Sequence, residues 1–259
     1  MNNSLKIEPV KEQIKLYAKQ LKTPTLIGYE KVIRQLAPGD GYDKFLCELL
    51  KQELSQRQAT SQKRRIKKAG FPMMKTLDEF IYSRLEHVTD SFLWELASCD
   101  YIKNRQNIIM IGNPGAGKTH LSIGLGLKAC YLGFNVRFYT AMNLANELAE
   151  AAQDHRLSKL EKSLAKTDLL IIDELSYLTF NRYQSEMLFQ VISERSERAS
   201  VIITTNLEFS RWTELFENEI MVSALIDRVT FRAHILDMNV KESYRLEETL
   251  LKRKKNSAL

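Results

Sequence analysis

Glycine and proline are scarce, 10 and 5 in 259 residues, so collagen-like and low-complexity readings fail. No apolar run approaches the ~18 residues that a membrane span needs, and runs such as Leu169–Ile172 are far shorter. The opening MNNSLKIEPVKEQ has no apolar signal-peptide core. Only 3 cysteines occur, Cys47, Cys99 and Cys130, with no paired metal-ligand spacing. An odd, unpaired set excludes a disulfide framework or a zinc finger and fits reduced thiols in a cytoplasmic protein. What is present is ordinary globular composition: 44% apolar and 27% charged residues.

The net charge of +6 is unevenly placed. Residues 1–70 carry 15 Lys and Arg against 7 Asp and Glu, whereas residues 71–240 carry 17 against 22. Residues 241–259 carry 6 against 3. A mildly acidic body with basic ends implies an appendage that meets a polyanion. Residues 1–69 lack strand character. Helices are predicted near 8–22, 26–36 and 41–68, with Phe45, Leu46, Leu49, Leu50 and Leu54 at helical spacing in the last. Its second half, QRQATSQKRRIKK, holds Arg57, Lys63, Arg64, Arg65, Lys67 and Lys68 and no acid. AGFP at 69–72 then breaks it. The predicted domains are 1–69, helical and basic, then 70–250, with a basic tail at 251–259.

From residue 71 the pattern alternates. LDEFIYSRL and DSFLWELAS read as helices. Apolar runs follow at Ile108–Ile111, Val136–Tyr139, Leu169–Ile172, Val201–Thr205 and His234–Met238, with helical stretches between them. Such runs predict an α/β domain, a five-stranded parallel sheet sandwiched between helices. The first run leads into Gly112, Asn113, Pro114, Gly115, Ala116, Gly117, Lys118 and Thr119, which fits G-x-x-x-x-G-K-[ST] in full. Glycines let the backbone curl so that N–H groups meet phosphate oxygens, and the helix N-terminus that follows favours an anion. Lys118 is expected on the β- and γ-phosphates and Thr119 on Mg²⁺, so ATP and Mg²⁺ are the expected cofactors. The third run, LLIIDEL, ends at Asp173, where a carboxylate can meet that metal, and Glu174 is placed to deprotonate an attacking water. Asn206 ends the run VIITTN and could position that water, although an Asn ending a strand is also a turn former.

These motifs, in this order, resemble AAA+ ATPases of the initiator and helicase-loader type. AGFPMMKTLDEF, NIIMIGNPGAGKTHLSIGLGLKAC, TDLLIIDELSYL, LFQVISERSERASVIITTN, ALIDR and ESYRL further resemble the IstB family. Those proteins are ATP-binding helpers of insertion-sequence transposases related to the DnaC helicase loader. The similarity covers about residues 1–250 and departs at Ser176 and Arg232. The resemblance implies a P-loop AAA+ domain without a full C-terminal lid. It implies roles for Lys118, Glu174 and Asn206 in catalysis and for Asp173 and Thr119 at the metal. It implies an arginine finger at Arg228, acting in a neighbouring subunit, and a nucleotide contact at Arg245. His120 follows the loop and counts among the nucleotide contacts, although one His at a helix start is commonly a packing residue. The implied function is an ATPase, stimulated by DNA, that oligomerises on duplex DNA, remodels it and recruits the transposase. A DnaC-like helicase loader is the alternative.

The six basic residues at 57–68 are the expected contacts to duplex phosphates, since Arg57, Arg64 and Lys68 share a helical face with Lys63 and Lys67 beside them. A solvated basic face is the bland reading of the same run. Trp94, Trp212, Met73 and Met74 are expected in the core.

Overall fold

The computed structural model describes residues 7–81, 85, 88–175, 180–216 and 218–240. The chain divides into two compact units, Met1–Arg64 and Arg65–Leu259.

In the first unit, helix α1 (Ile7–Gln20) is followed by a 3-10 turn at Pro24–Gly28, helix α2 (Tyr29–Ile33) and the start of α3 (Tyr42–Ala69). The single helix predicted near 26–36 is therefore divided at Gly28. Its small core holds Ala18, Val32 and Leu49. Leu46, Leu50 and Leu54 of α3 stay more than half exposed. The buried Glu53 carboxylate ties the unit together. It accepts from Arg57 Nε at 2.6 Å and from the Thr25 hydroxyl, and Arg57 Nη2 donates to the Lys22 carbonyl at 3.0 Å. α3 ends at Ala69, where the AGFP sequence begins.

The second unit is built on a five-stranded sheet whose strands pair in parallel, in the order β2-β3-β4-β1-β5. The strands are β1 (Asn107–Ile111), β2 (Val136–Thr140), β3 (Leu169–Asp173), β4 (Ser200–Thr205) and β5 (Ala233–Asp237), close to the runs expected. Every residue of β1, β3 and β4 is buried, because helices cover both faces. Alternation divides them: Ile109, Ile111, Leu170, Ile172, Val201 and Ile203 point into one apolar cluster. α7 (Ala141–Gln153), α8 (Leu157–Ala165), α9 (Arg182–Arg195) and α10 (Glu219–Thr230) complete that cluster. Ile108, Met110, Leu169, Ile171 and Ile202 point into the other, beneath α4 (Asp90–Ala97), α5 (Asp100–Lys103) and α6 (Lys118–Tyr131). The result is the three-layer arrangement predicted.

Three expectations fail. LDEFIYSRL does not start a helix: a 3-10 turn over Leu77–Glu79 is closed by a capping box between Thr76 and Glu79, and Phe80 is already extended. Trp94 is 67% exposed, because Phe92, Leu93, Leu96 and Ala97 form the inner face of α4 and helical spacing puts residue 94 opposite. Met73 and Met74 are likewise exposed, directly after Pro72. Trp212 does lie in the core, its Nε1 donating to the Leu207 carbonyl at 3.3 Å. Among the described residues, no helix is long and apolar enough to cross a membrane.

Candidate active site

Residues 112–119 join β1 to α6 at the carboxyl edge of the sheet, where open α/β sheets bind ligands. Gly115 and Gly117 have φ of 83° and 92°, a left-handed backbone that side chains disfavour. Gly117 is also the N-cap of α6, and a Cβ there would stand 2.9 Å from the Phe80 ring. Gly112 needs its lack of a side chain for a different reason: a Cβ would lie 2.5 Å from the carbonyl carbon of Met238. The loop thus turns tightly and opens the unpaired N–H groups at the start of α6, a cradle for phosphate.

Lys118 Nζ lies over this loop, donating to the Gly112 and Asn113 carbonyls at 2.5 and 3.0 Å. Asn113 anchors the loop to the chain after β5. Its Nδ2 donates to the Val240 carbonyl at 2.6 Å, and its Oδ1 accepts from the Val240 N–H at 3.1 Å. Its own N–H donates to Asn239 Oδ1 at 3.0 Å. Pro114 is exposed at the tip and Ala116 is buried.

Asp173 ends β3 and is buried. β4 separates β3 from β1, so the carboxylate reaches across the top of β4. Thr119 Oγ1 donates to it, lying 2.9 Å from Oδ2 and 3.1 Å from Oδ1. Thr204 Oγ1 donates to Oδ1 at 2.5 Å. A hydroxyl and a carboxylate brought together beside a phosphate cradle are hard oxygen donors of the kind Mg²⁺ takes, so these residues fit that ion. Glu174 is exposed and has φ of 60°, and its N–H donates to Thr204 Oγ1 at 3.0 Å. Asn206 follows β4, and its buried Oδ1 has no hydrogen-bond partner among the described residues. An orphaned acceptor at the strand tip is available to a water or a ligand.

His120 packs. Its Nε2 lies 2.8 Å from the Thr76 carbonyl and its ring meets Phe80 edge-on, 5.4 Å between centroids. The segment before it is laid along α6 by absent side chains. A Cβ on Gly126 would meet Phe71 at 2.8 Å, and one on Gly124 would meet Leu77 at 2.6 Å. Arg65 Nε donates to the Cys130 carbonyl at 3.0 Å, and Arg137 Nη1 donates to the Lys68 carbonyl at 3.1 Å.

Arg228 lies near the end of α10, half-buried, with its guanidinium 5.2 Å from the Phe189 ring centroid and Nη1 donating to the Ala224 carbonyl. The next residue, Val229, accepts from Asn107 Nδ2 at 3.0 Å. Asn107 opens β1 and the phosphate loop follows the other end of that strand, so the strand's length separates Arg228 from its own loop. Of the six basic residues expected at DNA, Arg57 is held by Glu53 and Lys22, and Arg65 is half-buried on Cys130. Lys63, Arg64, Lys67 and Lys68 are exposed and form no ion pair among the described residues. Ser176 and Arg245 lie outside the described residues. Thr204, Thr205 and the Asn113 clamp were not singled out from the sequence. The only signal for the first two was a pair of hydroxyls closing a buried strand.

The chain is similar to known proteins over most of its length. The family model described as IstB-like ATP binding protein matches residues 17–252. The ATP-binding protein named for insertion sequence IS5376 of Geobacillus stearothermophilus is 35% identical over 249 residues, covering 95% of this chain and 98% of that protein. The one named for insertion sequence IS21 of Pseudomonas aeruginosa is 36% identical over 221 residues, covering 85% and 83%. Among solved structures, AMPPCP-bound DnaA from Aquifex aeolicus aligns with a TM-score of 0.57 at 17% identity, over 72% of this chain and 56% of that one. DnaI aligns with a TM-score of 0.53 at 14% identity, over 64% and 91%. The structural likeness is one of fold alone. The chain belongs to the family of IstB-like ATP-binding proteins.

Proposed function

We propose that the protein hydrolyses ATP and acts as a DNA-remodelling helper of transposition in the cytoplasm. The observation that carries this reading is the adjacency of Asp173 and Glu174 at the mouth of the phosphate loop, one carboxylate buried on Thr119 and the other exposed. The loop N–H groups and Lys118 bind the phosphates of ATP. Thr119 and Asp173 would hold Mg²⁺, which would offset phosphate charge. Glu174 accepts a proton from the attacking water. The water oxygen bonds to the γ-phosphorus while the bridging P–O bond breaks and its electron pair leaves with ADP. Asn206 orients that water.

The position of Arg228 supports a role in trans. It stands too far from its own loop to reach a γ-phosphate there, so the cation completes a neighbour's site and hydrolysis depends on assembly. The exposed Lys63, Arg64, Lys67 and Lys68 meet duplex phosphates without reading sequence. The names of the relatives, given for insertion sequences, support a transposase as the partner to which bent duplex is handed. Hydrolysis then resets the complex.

Particle mass by light scattering, with a duplex of several helical turns or the matching single strand, in ATP and in ADP, tests the reading. A discrete multimer formed only with duplex and ATP is expected. A preference for single strand would replace this reading with a helicase loader. A monomer indifferent to DNA would end both.

A further inference from the structure

The buried Thr204 makes a hydrogen bond to each of three consecutive residues, from Asp173 at the end of β3 to Leu175 just beyond it. Its hydroxyl donates to Asp173 Oδ1 at 2.5 Å and accepts from the Glu174 N–H at 3.0 Å. Its carbonyl accepts from the Leu175 N–H at 2.9 Å. Thr205 continues the zipper: its hydroxyl donates to the Leu175 carbonyl at 2.7 Å and accepts from the Leu207 N–H at 3.0 Å. The polarity is forced, because an ionised carboxylate only accepts and an amide N–H only donates, so one hydroxyl serves both. Between these anchors Glu174 holds φ of 60°, a left-handed conformation that a residue with a Cβ keeps only when its surroundings over-determine it.

We propose that Thr204 is a positioning residue for ATP hydrolysis. Its side chain locks the Glu174 main chain in the left-handed turn while fixing the Asp173 carboxylate, so that both acids address the nucleotide from one rigid frame. The proposal rests on the reading of Glu174 as the base. A hydroxyl that only packed β4 into the sheet would be replaceable by any group of its size. One that positions Glu174 is not, because without it the turn relaxes toward an extended backbone and swings the carboxylate away from the loop. A displacement of about 1 Å in a reacting group costs on the order of 10²-fold in rate.

The test compares Thr204→Val, which keeps the shape and removes the hydroxyl, with Thr204→Ser, which keeps the hydroxyl. Thr204→Val is expected to bind a fluorescent ATP analogue with Mg²⁺ nearly as wild type does, while kcat falls on the order of 10²-fold at little-changed KM. Thr204→Ser is expected to restore turnover. Amide hydrogen exchange gives a reading that needs no turnover: the Glu174 N–H exchanges slowly in wild type and Thr204→Ser, and quickly in Thr204→Val. Full activity in Thr204→Val, or a Thr204→Ser enzyme as slow as Thr204→Val, overturns the proposal. Fast exchange at Glu174 in the wild type overturns it without any variant, including the case in which Thr204→Val does not fold. A wild type that exchanges slowly there yet never hydrolyses ATP sinks the base assignment and leaves the locked turn standing.

Discussion

Replacing Gly112 by Ala probes the closest main-chain approach in the site. The added Cβ would stand 2.5 Å from the Met238 carbonyl carbon, 2.6 Å from its oxygen and 3.0 Å from the Asn239 nitrogen. Ordinary contacts between carbons lie near 3.5–4.0 Å, so the shortfall is about 1 Å. All three neighbours are backbone, and no rotamer can relieve them. They are also tied down: Met238 N–H donates to the Ile111 carbonyl at 2.7 Å, and Asn113 grips Asn239 and Val240. Overpacking of this kind costs about 1–3 kcal/mol. For a unit of this size each kcal/mol moves Tm by about 2–4 °C, so a central cost of about 2 kcal/mol lowers it by roughly 4–8 °C. The strain falls on the phosphate loop, so the rise in Tm that ATP confers on the wild type should shrink as well. Differential scanning fluorimetry with and without ATP and Mg²⁺ reads both effects. Gly28→Ala is the control, since nothing lies within 4 Å of its Cβ and φ is −90°. An unchanged Tm in Gly112→Ala with an undiminished ATP shift would refute the reasoning.

Two further outcomes follow from buried groups. Burial pushes the Cys99 and Cys130 thiols up to about 11, whereas Cys47 is exposed. Iodoacetamide at neutral pH should therefore modify one thiol in the native chain and three after unfolding, counted by intact mass. Hydrogen bonds from Thr25, then Arg57, hold the Glu53 carboxyl below the ordinary glutamate value of 4.5. A depressed folded pKa contributes stability that is present above that value and lost as pH falls through the lowered one. Limited proteolysis of the first unit should accelerate in that acid range, and Glu53→Gln should flatten the dependence. A wild type and variant with parallel profiles would contradict it.

The sheet and the phosphate loop were legible because their physics leaves few substitutes. Strands covered on both faces must read as unbroken Ile, Val and Leu, and a loop that turns N–H groups on phosphate must place glycine where a Cβ cannot stand. Asp173 and Glu174 were legible by their place after such a strand. The fine positioning was not. A threonine in a strand is what β-propensity alone would put there, so Thr204 and Thr205 carried no distinct signal. Trp94 was misplaced because a helix as apolar as DSFLWELA hides which side faces inward. LDEFIYSRL was misread because Leu77 and Phe80 mimic helical spacing, while their true partners are Gly124 and Gly117, far along the chain.

Those glycines bear on how the protein can be cut. Each glycine inside a helix costs about 1 kcal/mol relative to alanine, and α6 carries Gly124 and Gly126 near its middle. Phe71 and Leu77 fill the groove those two leave open. A fragment starting at Pro72, where the composition changes, forfeits Phe71, the Arg65 bond to Cys130 and the Lys68 bond to Arg137. A fragment starting at Arg65 keeps all three, although it begins inside a helix. The natural scissor point for an isolated nucleotide domain is therefore within α3, and shorter fragments should express poorly because a helix of their own core has lost its cover.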